Sequence, residues 1–469
     1  MAAVLPRNLA LAVQRLANFN RTTIRVRPQS NDAVGSGQTM VFRLPTNTLV
    51  DLHNIQLFGE CGILGDRIQG FPELMHECIE RLDVVANGQV ITGSNSDYGG
   101  LYALLSRNLR TSHHRMEESV NELERGGPRG FDVDGVLWRE NTKAVAATDI
   151  SDYGNGTTAG RKFPFTIAGF LGFLSGHYVR FIDTAVTGPM EIRIRLAPSS
   201  ILWESQESDH LGSYALKTQY NDGQEVMDYE WRHMYMILDT ISFTDDMYRA
   251  ILANRLASGG IITIPYQNFF SYMRSVSNSD SVTFNVASQS LDMLMASFRD
   301  SGYSRRDAKK FSEQARDTNY YKFVSGRNNR DSYYNSDTTY QFLVNNLHAP
   351  SWPANVNEAK LLTANAFDIA GDVTNIGQNQ LDVNYENGGF VFAQCFMHHG
   401  ETDKIISGLD TRGASSNMQF DVHNPETATR YDNSAEGVQI DNSKLICTIW
   451  AATTSTLEIS AGQNITTIF

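Results

Sequence analysis

The chain has 469 residues, of which 41% are hydrophobic and 19% are charged, and its net charge is −13. This length suits two large domains, and the composition excludes an intrinsically disordered chain. The acidic balance argues against a general nucleic-acid binder, because neutralising phosphates requires a basic surface.

The N-terminal region differs in charge from the rest of the chain. Five arginines and no acidic residue precede Asp32, and apolar residues at helical spacing follow Pro6. We predict a basic amphipathic arm over residues 1–21, with a short helix over residues 7–19. Two interpretations stay open: the helix packs on its own domain, or the arm docks on a neighbouring subunit, a membrane or nucleic acid.

Strand patterns dominate from Thr22 onward, where β-branched and aromatic residues alternate with polar ones. Asn87-Gly88 separates two short apolar runs, which predicts a hairpin with a type I′ turn. Asp97 is predicted to cap a helix. The buried face of that helix would carry Leu101, Leu104, Leu105 and Leu109.

Two polar stretches interrupt the strand pattern. Residues 111–162 are charged and Gly-rich, and residues 300–337 form a second polar excursion. Long excursions of this kind in a compact domain usually bind partners or carry function. The acidic stretch over residues 203–228 is predicted to be a connector, so the two domains are predicted to span residues 22–202 and 229–469.

One phrase occurs late in each predicted domain. The first copy reads FIDTAVTGPMEIRIRLAP and the second reads GLDTRGASSNMQFDVHNP, with Asp183 and Asp410 separated by 227 positions (410 − 183). Each copy runs into an alternating segment that predicts a half-buried strand. We infer that one β architecture is used twice. Each Asp is predicted to accept local backbone N–H groups in a turn, the alternative being a pair of catalytic acids.

The sequence contains no known catalytic or metal-binding motif. The histidine pairs at 113–114 and 398–399 are adjacent, so on a strand their side chains would point to opposite faces. The sequence contains no His-x-His, which a two-domain cupin requires, and no phosphate-binding glycine loop. We therefore predict that the protein is not an enzyme and has no catalytic, cofactor or metal site.

Several passages together resemble the double jelly-roll major capsid proteins of tailless icosahedral double-stranded DNA viruses. This lineage includes adenovirus-like hexons, virophages, polinton-like viruses and the nucleocytoplasmic large DNA viruses. The passages are RLDVVANGQVITG, FLGFLSGHYVRFIDTAVTGPMEIRIRLAP, SVTFNVASQSLDMLMASFRD and DKIISGLDTRGASSNMQFDV. The resemblance extends from about Thr22 to the C-terminus. It implies an all-β fold of two tandem eight-stranded jelly rolls, with short helices and long inter-strand loops.

The resemblance also implies a function. Three subunits would form a pseudo-hexagonal homotrimeric capsomer, and capsomers would tile an icosahedral virion shell assembled inside the infected host cell. Expected partners are neighbouring trimers, penton and minor capsid proteins, an inner membrane or the genome through the arm, and a host receptor through the outer loops. The predicted trimer or inter-capsomer contacts are Arg7, Arg15, Arg305, Arg306, Tyr320 and Tyr321.

The alternative is a viral or secreted β-sandwich protein that binds carbohydrate or a receptor. Exposed aromatic residues would then serve as stacking platforms for sugars, with Tyr320, Tyr321, Tyr333 and Tyr334 as candidates.

Overall fold

The computed structural model describes two β-sandwiches and the segments that join them. The described residues are 19–29, 33–64, 69–70, 72, 74–109, 144–145, 163–175, 179–201, 203–204, 228–243, 250, 252, 254, 256–257, 260–276, 279–300, 323, 338–367, 389–397, 408–412, 418–423, 445–460 and 463–469. The predicted loops over residues 111–162 and 300–337 lie almost entirely outside these ranges, as does the predicted helix over residues 7–19.

The first sandwich and a small sheet beside it contain thirteen described strands. They are β1 (Phe19–Val26), β2 (Ala33–Gly35), β3 (Thr39–Arg43), β4 (Leu49–Leu64), β5 (Gln69–Gly70), β6 (Ile79–Ala86), β7 (Gln89–Val90), β8 (Ala144–Val145), β9 (Phe163–Ala168), β10 (Phe181–Asp183), β11 (Met190–Leu196), β12 (Trp203–Glu204) and β13 (Asp228–Phe243). One sheet has the order β1-β13-β4-β10, and the facing sheet has the order β3-β11-β6-β7. Strands β2 and β9 extend the first sheet, and β12-β5-β8 form a small separate sheet.

The second sandwich contains nine described strands. They are β14 (Ile262–Val276), β15 (Ser279–Phe284), β16 (Leu291–Asp300), β17 (Thr339–Val344), β18 (Leu347–Asn355), β19 (Phe392–Cys395), β20 (Met418–His423), β21 (Leu445–Ser460) and β22 (Asn464–Ile468). Its sheets have the orders β14-β21-β16-β19 and β15-β20-β17-β18, with β22 added beside β21.

The two sandwiches share one topology. When the eight principal strands of each are numbered along the chain, both have sheets in the order 1-8-3-6 and 2-7-4-5. This is the jelly-roll arrangement of two four-stranded sheets. The inference that one architecture is used twice is therefore confirmed.

The predicted domain boundaries need two corrections. Strand β13 pairs with β1 and β4 along its length, so it completes the first sandwich rather than opening a domain at residue 229. At the other end, β1 begins at Phe19, so residues 19–21 belong to the first sandwich and not to the arm. Both errors have the same cause, because local strand patterns do not reveal which distant strand is the partner.

Three α-helices are described over their whole length, and residues 250, 252, 254, 256 and 257 are also helical. The three helices are α1 (Tyr98–Leu109), α2 (Thr184–Thr187) and α3 (Val356–Ala366). Asp97 precedes α1, its carbonyl accepts the N–H of Leu101 at 3.0 Å, and its carboxylate accepts the backbone N–H of Gly100, as the predicted cap requires. The predicted buried face is wrong at Leu109, which is 51% exposed. Helix α3 begins with a capping box in which Asn355 and Glu358 bond each other's backbone N–H groups.

The predicted hairpin is confirmed at Asn87-Gly88. Their φ angles are +47° and +82°, as a type I′ turn demands, and they join β6 to β7. The second sandwich has the same turn at Asn345-Asn346, with φ angles of +52° and +63° between β17 and β18. Asparagine tolerates this left-handed region better than other residues with a β-carbon.

Aromatic side chains fill both sandwiches. In the first, Phe165 packs on Trp231 with ring centroids 4.6 Å apart. In the second, Phe342 packs on Phe420 at 4.8 Å. All four are buried, and burying one such side chain contributes about 1.5–3 kcal/mol.

The repeated Asp-Thr phrase has the same structure in both sandwiches. In the first, the Thr184 hydroxyl accepts the N–H of Thr48 at 3.0 Å, and the Thr184 N–H donates to the Thr48 carbonyl at 3.0 Å. In the second, Thr411 makes the same two bonds to Ser288, at 2.9 and 2.8 Å. The phrase therefore ties the segment that follows the sixth principal strand to the residues just before the third in each jelly roll.

The aspartates of the phrase act within their own turns. Asp183 accepts the N–H of Ala185 at 2.8 Å, and Asp410 accepts the N–H of Arg412 at 3.0 Å. The predicted turn role is confirmed for both residues.

Candidate interaction surfaces

The residues predicted to make subunit contacts cannot be placed in the described structure. Arg7, Arg15, Arg305, Arg306, Tyr320 and Tyr321 all lie outside the described residues, as do Tyr333 and Tyr334 and both histidine pairs. Their roles stay predictions. Within the described ranges, no group of three or more His, Cys, Asp or Glu side chains could hold a metal ion, and no helix is long and apolar enough to cross a membrane.

The best-defined contact surface is the junction between the two sandwiches. The segment Ile91–Asp97, between β7 and α1, lies against the edge strand β14. The N–H of Gly93 donates to Asn268 Oδ1 at 2.6 Å, and the N–H of Ser271 donates to the Ser94 carbonyl at 3.1 Å. Edge strands expose unpaired backbone groups that favour association, and here the first sandwich covers that edge.

A buried ion pair crosses the same junction. Arg299 of β16 donates to the Asp97 carboxylate at 2.8 Å, and the two side chains are only 5% and 7% exposed. Arg299 also donates to the Thr448 hydroxyl at 3.2 Å. Burial raises the pKa of Asp97, and the nearby Arg299 charge opposes that rise.

An aromatic ring completes this buried cluster. The guanidinium carbon of Arg299 lies 5.9 Å from the ring centroid of Phe323, and that of Arg107 on α1 lies 6.0 Å from the same ring. Arginine over an aromatic face is attractive. The pair of arginines therefore joins α1 of the first sandwich to the second sandwich through one buried ring.

The C-terminal hairpin provides a third link. Asn87 Nδ2 donates to the Gln463 carbonyl at 3.0 Å, and Gln463 Nε2 donates to the Ala185 carbonyl at 2.9 Å. The turn between β21 and β22 is thereby held against the first sandwich. With the buried cluster, this link makes the two sandwiches one connected body, whose buried apolar residues form a single cluster.

The outer face of the first sandwich carries a stacked group on β1, β13 and β4. The Arg25 guanidinium carbon lies 3.4 Å from the Tyr235 ring centroid, and Tyr235 stacks on Phe58 with centroids 5.2 Å apart and planes 5° apart. Arg25 is exposed and the two rings are half-buried, so this face presents both apolar area and positive charge to solvent.

A charged network fixes β1 to β13. Thr23 donates to Asp239 Oδ1 at 2.6 Å, and Arg21 donates to the other carboxylate oxygen. The Thr23 hydrogen bond, followed by the Arg21 bond, lowers the pKa of Asp239. The backbone of β1 lies at the edge of its sheet, where residues 20–23 are exposed.

The second sandwich exposes apolar side chains on β18 and α3. Leu347 is 67% exposed, Trp352 is 48% exposed and Leu361 is 59% exposed. Large exposed apolar residues on neighbouring elements are typical of interaction sites. The sequence patterns did not single out these residues, although Trp352 between two prolines is a signal that could have been used.

Comparison with known proteins identifies the fold. No protein-family model and no curated protein matches the sequence. VP54 of PBCV-1, whose crystal structure was fitted into a cryo-EM reconstruction of the virophage Sputnik, matches with a TM-score of 0.57 and 13% identity, over 97% of this chain and 98% of that chain. The Faustovirus major capsid protein matches with a TM-score of 0.55 and 8% identity, over 94% and 91%.

A third match, a chain of the quasi-atomic PBCV-1 virus capsid, has a TM-score of 0.54 and 12% identity, over 97% of this chain and 98% of that chain. These neighbours are double jelly-roll capsid proteins. At such low identity the likeness concerns the fold. The chain has the double jelly-roll fold, and the predicted fold class is confirmed.

Proposed function

We propose that this chain is the structural major capsid protein of an icosahedral virus, and that three copies form one pseudo-hexagonal capsomer. The observation that supports this most is the shared topology of the two sandwiches, joined as one body by the buried Asp97–Arg299 pair. The full-length fold likeness to viral capsid proteins supports the same function.

The shape explains why such a chain suits a shell. Three chains with two like sandwiches each place six like units around a threefold axis. A unit with nearly sixfold outline can tile a flat facet, while closed threefold symmetry limits the assembly to a defined size. Rigid joining of the two sandwiches matters here, because a flexible junction would let the outline vary from one subunit to the next.

The same proposal covers location and partners. The protein would reside in the virion, contact neighbouring trimers, and meet penton and minor capsid proteins at the edges of facets. The basic arm would face the inner membrane or genome, and outer loops would meet a host receptor. We assign it no catalytic activity, because Asp97 is engaged in a structural contact and Asp183 and Asp410 serve their own turns.

The mass of the purified protein in solution tests the proposal. Light scattering after size-exclusion chromatography should give three times the mass of one chain across a wide concentration range. A stable monomer that binds glycans on an array would contradict the capsid function and favour the carbohydrate-binding alternative.

A further inference from the structure

The segments that run from hairpin turn to helix correspond residue by residue in the two sandwiches. Helix α1 starts eleven residues after Asn87, and α3 starts eleven residues after Asn345 (98 − 87 and 356 − 345). Both turns join the fourth and fifth principal strands. A residue in the first segment therefore corresponds to the residue 258 positions later in the second.

In the first sandwich, this segment covers the second sandwich. Gly93 and Ser94 bond to β14, and Arg107 of α1 lies over Phe323. The buried positions of this segment and of one face of α1 include Gly93, Asn95, Gly99, Ala103 and Arg107.

In the second sandwich, the corresponding positions are exposed. They are Ser351, Pro353, Asn357, Leu361 and Asn365. Trp352 is exposed, as is Ser94, the residue that corresponds to it. At the other five positions the segment is covered in the first sandwich and uncovered in the second, and the uncovered copy carries the larger apolar side chains.

A matching surface exists on the first sandwich. The strand register shows which residues correspond. In the first sandwich, Asp51 lies three residues after Thr48 and pairs with Asp239 of β13, which pairs with Thr23 of β1. In the second, Leu291 lies three residues after Ser288 and pairs with Thr453 of β21, which pairs with Asn268 of β14. Thr23 of β1 therefore occupies the position that Asn268 occupies in β14.

The two positions differ in what covers them. Asn268 is buried and accepts the N–H of Gly93, whereas Thr23 and its neighbours on the β1 edge are exposed. Beside this edge lies the stack of the exposed Arg25 on the half-buried rings of Tyr235 and Phe58. An exposed strand edge with adjoining aromatic surface can receive a second chain.

We propose that Trp352 and Leu361 of one copy dock on the β1 edge and the adjoining β13–β4 face of the next copy. This inference rests on the proposed trimer and names its contact surface. Ser351 of one copy lies beside Thr23 of the next, as Gly93 lies beside Asn268 within each chain. Each copy gives one such contact and receives one, so three copies close a ring.

Trp352 and Leu361 anchor the contact. Buried tryptophans are frequent among the few residues that dominate interface affinity. The positive charge of Arg25 also suits an aromatic partner, because a guanidinium is attracted to an indole face. The contact between the two sandwiches of one chain and the proposed contact between neighbouring chains thus use the same two elements. These are the segment from hairpin turn to helix and the first principal strand.

Charge insertion and a designed disulfide test the proposal. Trp352→Asp and Leu361→Asp should each convert the trimer to monomers in light scattering, with the circular dichroism spectrum of the folded chain unchanged. Leu109→Asp, at another exposed leucine, is the matched control and should remain a trimer. The double variant Thr23→Cys/Ser351→Cys should form covalent trimers under oxidising conditions, which reductant dissolves, while each single cysteine variant should not.

The outcomes separate this contact from the trimer itself. If both aspartate variants stay trimeric and the cysteine pair forms no covalent oligomer, the proposed contact is wrong while the capsid function stands. If the unmodified chain is monomeric at every concentration, the proposed function is wrong, and the proposed contact is wrong as well.

Discussion

The carboxylate of Asp97 and the guanidinium of Arg299, 202 residues apart in the chain, meet at 2.8 Å inside the junction of the two sandwiches. Each belongs to a different jelly roll. The pair therefore couples the positions of the two units on which the proposed pseudo-hexagonal outline depends.

Removing one partner of this pair should destabilise the chain strongly. Asp97→Asn or Arg299→Met leaves a buried group without its countercharge, which typically costs about 3–5 kcal/mol. Asparagine retains the helix cap of α1, so the loss reports on the ion pair. Chemical denaturation measures the free energy of unfolding.

The controls for this prediction are a double variant and an exposed pair. The double variant Asp97→Asn/Arg299→Met should lose less stability than the sum of the single variants, because no charge is left buried. Arg193→Met breaks the partly exposed pair with Glu191 and should cost less than about 1 kcal/mol. Equal losses in the free energy of unfolding at both pairs would show that the junction pair contributes no more to stability than the pair on the surface.

Gly93 should tolerate no side chain. A β-carbon there would lie 2.5 Å from the Phe269 carbonyl oxygen and 2.8 Å from Asn268 Oδ1, so Gly93→Ala must push the junction apart. We expect a loss of about 1–3 kcal/mol. Gly35→Ala is the control, since its nearest neighbours would be 3.8 Å away, and it should change stability by less than about 0.5 kcal/mol. Equal melting temperatures for the two variants would contradict the close approach.

The Asp-Thr phrase should contribute equally to both jelly rolls. Thr184→Val and Thr411→Val each remove a buried hydroxyl that accepts a backbone N–H, which should cost about 1–3 kcal/mol. Because the two sites lie in different sandwiches, the double variant should be additive within about 0.5 kcal/mol. Thr263→Val, on an exposed position of β14, is the neutral control. A loss of stability in only one of the variants Thr184→Val and Thr411→Val would show that the two copies of the phrase are not equivalent.

Acid should weaken the attachment of β1 through Asp239. The Thr23 and Arg21 hydrogen bonds hold the pKa of this carboxyl below its ordinary value of 3.8. A carboxyl with a lowered pKa in the folded state stabilises the fold above its unfolded pKa and loses that contribution as pH falls through the folded value. The difference in melting temperature between the native chain and Asp239→Asn should therefore shrink between neutral pH and about pH 2. A constant difference would show that the charge of Asp239 is not the cause.

Local patterns predicted the parts of the fold that depend on near neighbours. The Asn87-Gly88 turn follows from its need for positive φ, and the alternation from Met190 to Leu196 matches the strand β11 with its inward and outward faces. Asp183 behaves as its turn motif predicts.

Features that depend on distant pairing were not predictable in this way. The strand pattern of β13 would suit either sandwich, and only its pairing with β1 and β4 shows that it belongs to the first. Arg299 carries no local sign that its partner is Asp97. Helix α3 was not predicted, although Asn355 and Glu358 have capping-box spacing.

In the proposed capsomer, two like sandwiches in one chain let a threefold assembly present a sixfold outline. Cryo-electron microscopy of the purified native protein can show this outline. We expect a threefold-symmetric particle with six sandwich densities in a ring, and with α3 of each subunit against β1 of the next. Particles containing a single chain, or rings whose neighbouring subunits meet through other faces with no near-sixfold outline, would contradict it.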